Sequence, residues 1–287
     1  MKVARSPEEL GPGPRAVALG TFDGVHLGHR RVIETALEVG PATTVITFDP
    51  HPRTALGQRV DLLTSLERRL ELLEELGVEG TLVVPFDLEV ARLEPQEFAE
   101  RVLRPIGAGP VVAGADFRFG RGRTGDLELL AGMGFEIRPV PLLEDVSSGR
   151  VRDLVRAGDV VGAAALLGRP VEVEGTVVTG DARGGTLGFP TANLDIRPEL
   201  LVPANGIYAG AVADTRAAIS IGTNPHYGGR ERRVEAHLLD FSGDLYGQRL
   251  LVELWRRLRD ERAFESEQAL IEQIALDVEQ TRSAVRP

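Results

Sequence analysis

The sequence predicts two domains of different class, an α/β domain built on a parallel sheet and then an antiparallel β-barrel followed by a C-terminal helix. Three observations predict it. From Arg15 to about Leu143 short apolar runs alternate with amphipathic helical patterns. After Gly168-Arg169-Pro170 the texture changes to short runs, apolar or alternating, separated by glycine-rich turns. The chain then finishes on one amphipathic stretch, Ser266 to Thr281.

Taken in order, Val17 to Leu19, Thr44 to Phe48, Leu82 to Val84, Val111 to Ala113 and Ile137 to Val140 read as buried strands of a parallel sheet. Arg30 to Val39 has apolar residues at 32, 33, 36 and 37, and Ser65 to Leu76 repeats leucine at 66, 70, 72, 73 and 76 among charges. With Pro95 to Leu103 these patterns supply crossover helices, and the whole reads as Rossmann-like. Ser147 to Leu167 is helical and rich in alanine, stopped at Gly168-Arg169-Pro170. Val171 to Val178, Ile207 to Val212, Ala217 to Ile221, Val234 to Leu239 and Leu250 to Trp255 then read as barrel strands. In the last helix Ala269, Leu270, Ile274 and Val278 form an apolar stripe. The chain has no internal repeat, and the boundary falls near residue 165, giving domains 1–165 and 166–287.

Composition excludes several classes. Apolar residues are 43% and charged residues 26% of the 287, with no apolar run near the roughly 20 residues of a membrane helix. Met1 to Leu10 lacks the apolar core of a signal peptide, so cytoplasmic residence is expected. A net charge of -10 argues against general nucleic-acid binding, whose affinity comes from neutralising phosphates. With no cysteine, disulfides, thiolate metal sites and cysteine nucleophiles are excluded. Lys2 is the only lysine, which removes a Walker P-loop and an interior Schiff-base lysine. Oligomeric state has no signature in the chain.

His26-Leu27-Gly28-His29 follows a strand and the turn Gly20-Thr21-Phe22-Asp23-Gly24, and it precedes a helical pattern. Unpaired backbone N–H groups and the helix dipole favour anions there, Gly28 lets a phosphate approach, and imidazole donors can follow moving charge. Asp116 ends another strand, and Ser147-Ser148-Gly149-Arg150 opens another helix; both belong on the carboxyl edge of the sheet, where such folds bind ligands. Two histidines in a turn also serve simply to cap a helix. A zinc site would need ligands beyond these two, and neither a His-Glu-x-x-His helix nor a cysteine supplies them. His51, within Pro50-His51-Pro52, reads as a turn residue or a substrate contact.

Further on, a glycine-rich loop from Gly180 to Gly188 precedes Phe189-Pro190-Thr191-Ala192-Asn193. If that segment is extended, Thr191 and Asn193 point the same way and offer magnesium two neutral oxygen ligands, with ATP oxygens and water completing the shell. The same letters also fit an ordinary turn and strand. Glu235 is a lone carboxylate in an apolar strand, facing either solvent or a site.

Thr21 to His29, Thr47-Phe48-Asp49-Pro50-His51-Pro52, Asp116-Phe117-Arg118-Phe119-Gly120 and Ser147 to Arg152 resemble the N-terminal module of bacterial bifunctional riboflavin kinase/FAD synthetases. Gly180 to Asn193, Gly206-Ile207-Tyr208-Ala209, Ile221-Gly222-Thr223-Asn224-Pro225, Val234 to Phe241 and Asp244-Leu245-Tyr246-Gly247 resemble the kinase module of the same proteins. The resemblance runs from about Ala16 to Asp277. It implies a nucleotidyltransferase domain in which His26 and His29 contact ATP phosphates and Gly20, Phe22, Asp23, Gly28, Asp116, Ser147, Ser148 and Arg150 line the nucleotide site. For the barrel it implies that Gly180, Gly188, Thr191 and Asn193 bind Mg-ATP, with Mg2+ on Thr191 and Asn193, and that Glu235 is the general base on riboflavin. FMN and then FAD would be the products.

The chain departs from the family pattern at Gly149, where threonine is usual, at Thr179, where histidine is common, at Gly185, where arginine is common, and at His226-Tyr227. Gly149 removes one hydroxyl donor and keeps open a chain with kinase activity alone. The changes at Thr179 and Gly185 predict altered ATP affinity. Two other readings stand beside these: a flavin-binding regulator without turnover, and a nucleotidyltransferase for another acceptor such as pantetheine, nicotinamide nucleotide or phosphoglycerol.

Overall fold

A computed structural model describes residues 1–40, 42–180, 188–223 and 232–287. It divides into two units, Met1–Ser148 and Gly149–Pro287. The loop positions 181–187, with Gly185, and the segment 224–231, with Asn224-Pro225-His226-Tyr227, lie outside the described residues.

In the first unit β1 (Lys2–Ala4), β2 (Arg15–Leu19), β3 (Thr43–Asp49), β4 (Gly80–Pro85), β5 (Ala108–Gly114) and β6 (Glu136–Val140) form one sheet, ordered β1-β4-β3-β2-β5-β6. Every ladder is parallel. Side chains alternate between faces, as the period of two requires. Val17, Leu19, Ile46, Phe48, Val111 and Ala113 pack on one face with Phe98, Leu103 and Leu130. Ala16, Ala18, Val45 and Val112 pack on the other with Ile33 and Ala36 of helix Leu27–Val39 and Leu72 and Leu73 of helix Leu66–Glu75. Burying a side chain such as Ile33 or Leu73 contributes about 1.5–3 kcal/mol.

Both sheet edges correct the sequence reading. Ile137–Val140 is expected to be buried, yet among the described residues β6 pairs only with β5, and it buries only Val140. Arg138 and Pro139 suit an edge, where a charge and a missing N–H donor block further pairing. β1 is too short for any periodicity to reveal it. From β2 the chain adds β3 on one side, and later crosses to add β5 on the other, so the order reverses between β2 and β5. A crevice at the carboxyl ends of those two strands follows from the topology.

Helices Ser148–Ala157 and Val160–Leu167 replace the single helical stretch expected before the barrel. Gly158, at φ 79°, breaks them, and Asp159 caps the second through the Gly162 amide.

β7 (Val171–Val178), β8 (Ala192–Asp195), β9 (Gly206–Val212), β10 (Thr215–Thr223), β11 (Arg232–Leu238) and β12 (Arg249–Arg259) close into a barrel ordered β10-β11-β8-β7-β12-β9. All its ladders are antiparallel, and closure removes free edges. Along β11, Val234, Ala236 and Leu238 are buried, which turns Glu235 and His237 to the outer face.

Helix Glu267–Ser283 ends the fold, capped by Ser266 through the Ala269 amide. The apolar stripe is only half-buried there; the buried residues are Asp277 and Thr281. Asp277 accepts from Arg259 Nη2 at 2.7 Å and Nε at 3.0 Å, so a charge pair rather than a leucine seats the helix on β12.

Candidate active sites

The turn after β2 is shaped from beneath. Gly20 sits under the Phe22 ring, where a Cβ would lie 3.1 Å from it, and Phe22 itself takes φ 53°. The Asp23 carboxylate is fully buried and accepts from the amides of Leu63 at 3.0 Å and Thr64 at 3.2 Å. Those bonds direct Asp23 into the fold, where it fixes the loop. Gly24 takes φ 83° and abuts Leu63, leaving no room for a side chain.

Two residues later the chain enters helix Leu27–Val39 with His26 as its N-cap. His26 Nδ1 accepts from the His29 amide at 3.3 Å, so in the neutral ring the proton sits on Nε2. The two imidazoles stack with centroids 3.6 Å apart, and Phe22 meets His29 edge-on at 5.2 Å. Gly28 lies against the His26 ring, and an added Cβ there would stand 3.2 Å from it. The site therefore joins a helix N-terminus, a glycine and two imidazoles at the end of β2.

Asp116 is exposed just beyond β5, the neighbour of β2 at the reversal of strand order. Ser148 Oγ donates to the Asp23 carbonyl at 3.0 Å, which ties this serine to the turn, and Ser147 is exposed beside it. Arg150 is exposed in the first turn of helix Ser148–Ala157. His51 caps helix Pro52–Ala55, its Nδ1 accepting from the Arg53 amide at 3.2 Å.

On the barrel, register brings the second group together. Asn193 of β8 pairs directly with Glu235 of β11, which pairs in turn with Ser220 of β10. Thr191, two residues before Asn193, precedes the strand. Asn193 Oδ1 is buried without a hydrogen-bond partner among the described residues. Gly180 lies against the Asn193 amide, in a cradle that a Cβ would fill. Glu235 is a quarter exposed and pairs with Arg233 at 3.2 Å.

Gly188 turns the chain at φ 87°. His237 Nδ1 then donates to the Pro190 carbonyl at 2.8 Å, and Phe189 meets that ring edge-on at 5.5 Å. These contacts fix Thr191 between two cavities of about 340 Å³ each. One lies between the outer face of β10 and β11 and the C-terminal helix, lined by Glu235, His237, Arg259, Phe264 and Ile274. The other is lined by Pro190, Phe241, Asp244, Leu245 and Tyr246.

Two groups escaped the sequence reading. Arg69 is 2% exposed within a helix recognised only by its leucines. Arg259 and Asp277 pair across 18 residues within the wall of the first cavity. Only the unusual position of a charge on each apolar pattern could have signalled them.

Two unlike scaffolds on one chain each carry their own group of polar side chains at a crevice. A family model described as FAD synthetase matches residues 11–151, and one described as riboflavin kinase matches residues 167–285. The chain belongs to the bifunctional riboflavin kinase/FMN adenylyltransferase family. The Bacillus subtilis member is 36% identical over 285 residues, covering 91% of this chain and 89% of its own. The Escherichia coli K12 member is 36% identical over 300 residues, covering 96% of each. A solved structure described as a macrolide-efflux protein from Streptococcus pneumoniae shares the fold over 99% of both chains, with TM-score 0.88 and 32% identity. Its description stays with that protein. Among the described residues no helix here is long and apolar enough to cross a membrane.

Proposed function

We propose that the chain phosphorylates riboflavin to FMN with ATP and then adenylylates FMN to FAD, releasing pyrophosphate. The succession of both family matches along one chain carries this reading. Adenylyl transfer is assigned to residues 1–165 and phosphorylation to 166–287, a division that respects both matched ranges.

In the barrel, Glu235 accepts the proton of riboflavin's primary ribityl hydroxyl as that oxygen attacks the γ-phosphorus and the bond to the β,γ-bridging oxygen breaks, releasing ADP. Its place on the wall of a cavity supports this role. Phosphoryl transfer depends mainly on positioning and charge neutralisation. Thr191 and Asn193 would hold Mg2+, for which the Asn193 oxygen, without a partner among the described residues, is a fitting hard ligand. When bound, the ion would neutralise phosphate charge. Gly180 and Gly188 give the nucleotide close access to backbone.

In the α/β domain the FMN phosphate attacks the α-phosphorus of a second ATP. His26 and His29 donate to the phosphate oxygens as charge shifts towards pyrophosphate, with Gly20, Phe22, Asp23 and Gly28 forming the turn beneath them. Asp116, Ser147, Ser148 and Arg150 complete the nucleotide site. Consumption of ATP in both reactions suits a cytoplasmic setting.

Incubation with riboflavin, ATP and magnesium, followed by chromatography over time, tests the reading. FMN should form first and FAD second. FMN alone would leave a kinase with a non-catalytic first domain, and no flavin product would overturn the proposal.

A further inference from the structure

Beneath the histidine turn lies a polar network that neither reaction uses directly. Its centre is Arg69, the largest fully buried side chain among the described residues. Arg69 Nη1 donates to Thr47 Oγ1 at 3.1 Å and to the Phe48 carbonyl at 3.2 Å. The Thr47 hydroxyl spends its own proton on the Thr21 carbonyl, at 2.8 Å. Thr21 stands between Gly20 and Phe22, and Phe22 carries the edge contact to His29.

The helix that bears Arg69 also holds the other end of the turn. Ser65 caps it through the Arg68 amide, and directly before that cap Leu63 and Thr64 give their amides to the Asp23 carboxylate. Thr64 Oγ1 accepts from the Gly24 amide at 3.1 Å. Residues 21 to 24 are thus gripped at both ends from one helix and the segment leading into it.

Packing does not require a charge there. Burying a guanidinium costs several kcal/mol of hydration, and an apolar side chain of similar volume would fill the space without that cost. Burial lowers the Arg69 pKa, while the nearby charges of Asp23 and Asp49 oppose that effect. We infer that Arg69 is a positioning residue for adenylyl transfer, which sets His29 and its helix N-terminus through Thr47 and the Thr21 carbonyl. The inference rests on the adenylyltransferase reading of the first domain.

The test compares Arg69→Met, Arg69→Lys and Thr47→Val with the parent chain, measuring FAD formation from supplied FMN and FMN formation from riboflavin. Misplacing a reacting group by about 1 Å costs on the order of a hundredfold, so Arg69→Met should lower kcat for FAD by about tenfold to a hundredfold. The KM for ATP should stay within about twofold. Arg69→Lys, which keeps a donor, should restore part of the rate, and kinase turnover should be unchanged in all three. Thr47→Val should lower kcat in the same direction, with a double-variant effect smaller than the sum of the two. An Arg69→Met chain with parental kcat, or an Arg69→Lys chain no better than Arg69→Met, overturns the inference. If Arg69→Met does not fold, Thr47→Val decides, and parental kcat in that variant overturns it. A parent chain that makes no FAD would instead refute the adenylyltransferase reading itself.

Discussion

Asn193 and Glu235 stand directly opposite each other on adjacent barrel strands, with their side chains on the same outer face. One carries a buried oxygen without a partner among the described residues and the other a carboxylate on a cavity wall, so the proposed metal ligand and the proposed proton acceptor are held a strand apart by backbone pairing alone.

Glu235→Gln keeps the shape of the side chain and removes its basicity. FMN formation should fall by about 10²–10⁴-fold, the usual contribution of a general base. FAD formation from supplied FMN should be unaffected. Chromatography of both reactions on the same preparation checks this.

Gly180→Ala places a methyl group where the Asn193 amide now lies. The amide must move, and the magnesium concentration that half-saturates FMN formation should rise by about 10–100-fold, the usual effect of disturbing a ligand's support. A magnesium titration of kinase turnover measures it.

His26 has two separable roles, because its Nδ1 caps the helix while its Nε2 carries the proposed donor. His26→Ala should lose FAD formation together with about 1 kcal/mol of stability. His26→Asn keeps a capping oxygen, so it should lose FAD formation at nearly parental melting temperature. Calorimetry beside the turnover assay separates the two.

Asp240 is held below its ordinary value of 3.8 by the Arg282 hydrogen bonds. A depressed carboxylate adds stability above its unfolded value and loses it as pH falls through the folded one. Asp240→Asn should therefore melt slightly below the parent at neutral pH, and the difference should close below pH 3.8. Both partners are exposed, so the gap should be small and should shrink with added salt. Melting curves across the acid range test the sign.

Much of this was legible in the chain because buried parallel strands and alternating barrel strands leave distinct patterns. Val17 to Leu19 and Thr44 to Phe48 became strands as expected, and His26 fell at a helix start. The misses have physical reasons. β6 looked buried because a short apolar run does not say how many neighbours it has, and its Arg138 and Pro139 were the unused clue. The C-terminal helix buries Asp277 ahead of its apolar stripe because its partner, Arg259, comes from β12, which no helical period can reveal. The amides that Asp23 accepts from lie 40 residues further on, a pairing that the glycine-rich turn does not announce. Long-range polar pairing is the part of a fold that local periodicity does not encode.

The edge strand β1 carries the chain's only lysine, exposed at Lys2, in a protein without cysteine. Apart from the terminal amine, which pairs with Glu74, an amine-reactive dye therefore has a single side-chain address. A lone engineered thiol on the barrel would supply a second, orthogonal one. Doubly labelled single molecules could then report the distance between the two halves during turnover, without first stripping reactive residues from the native sequence.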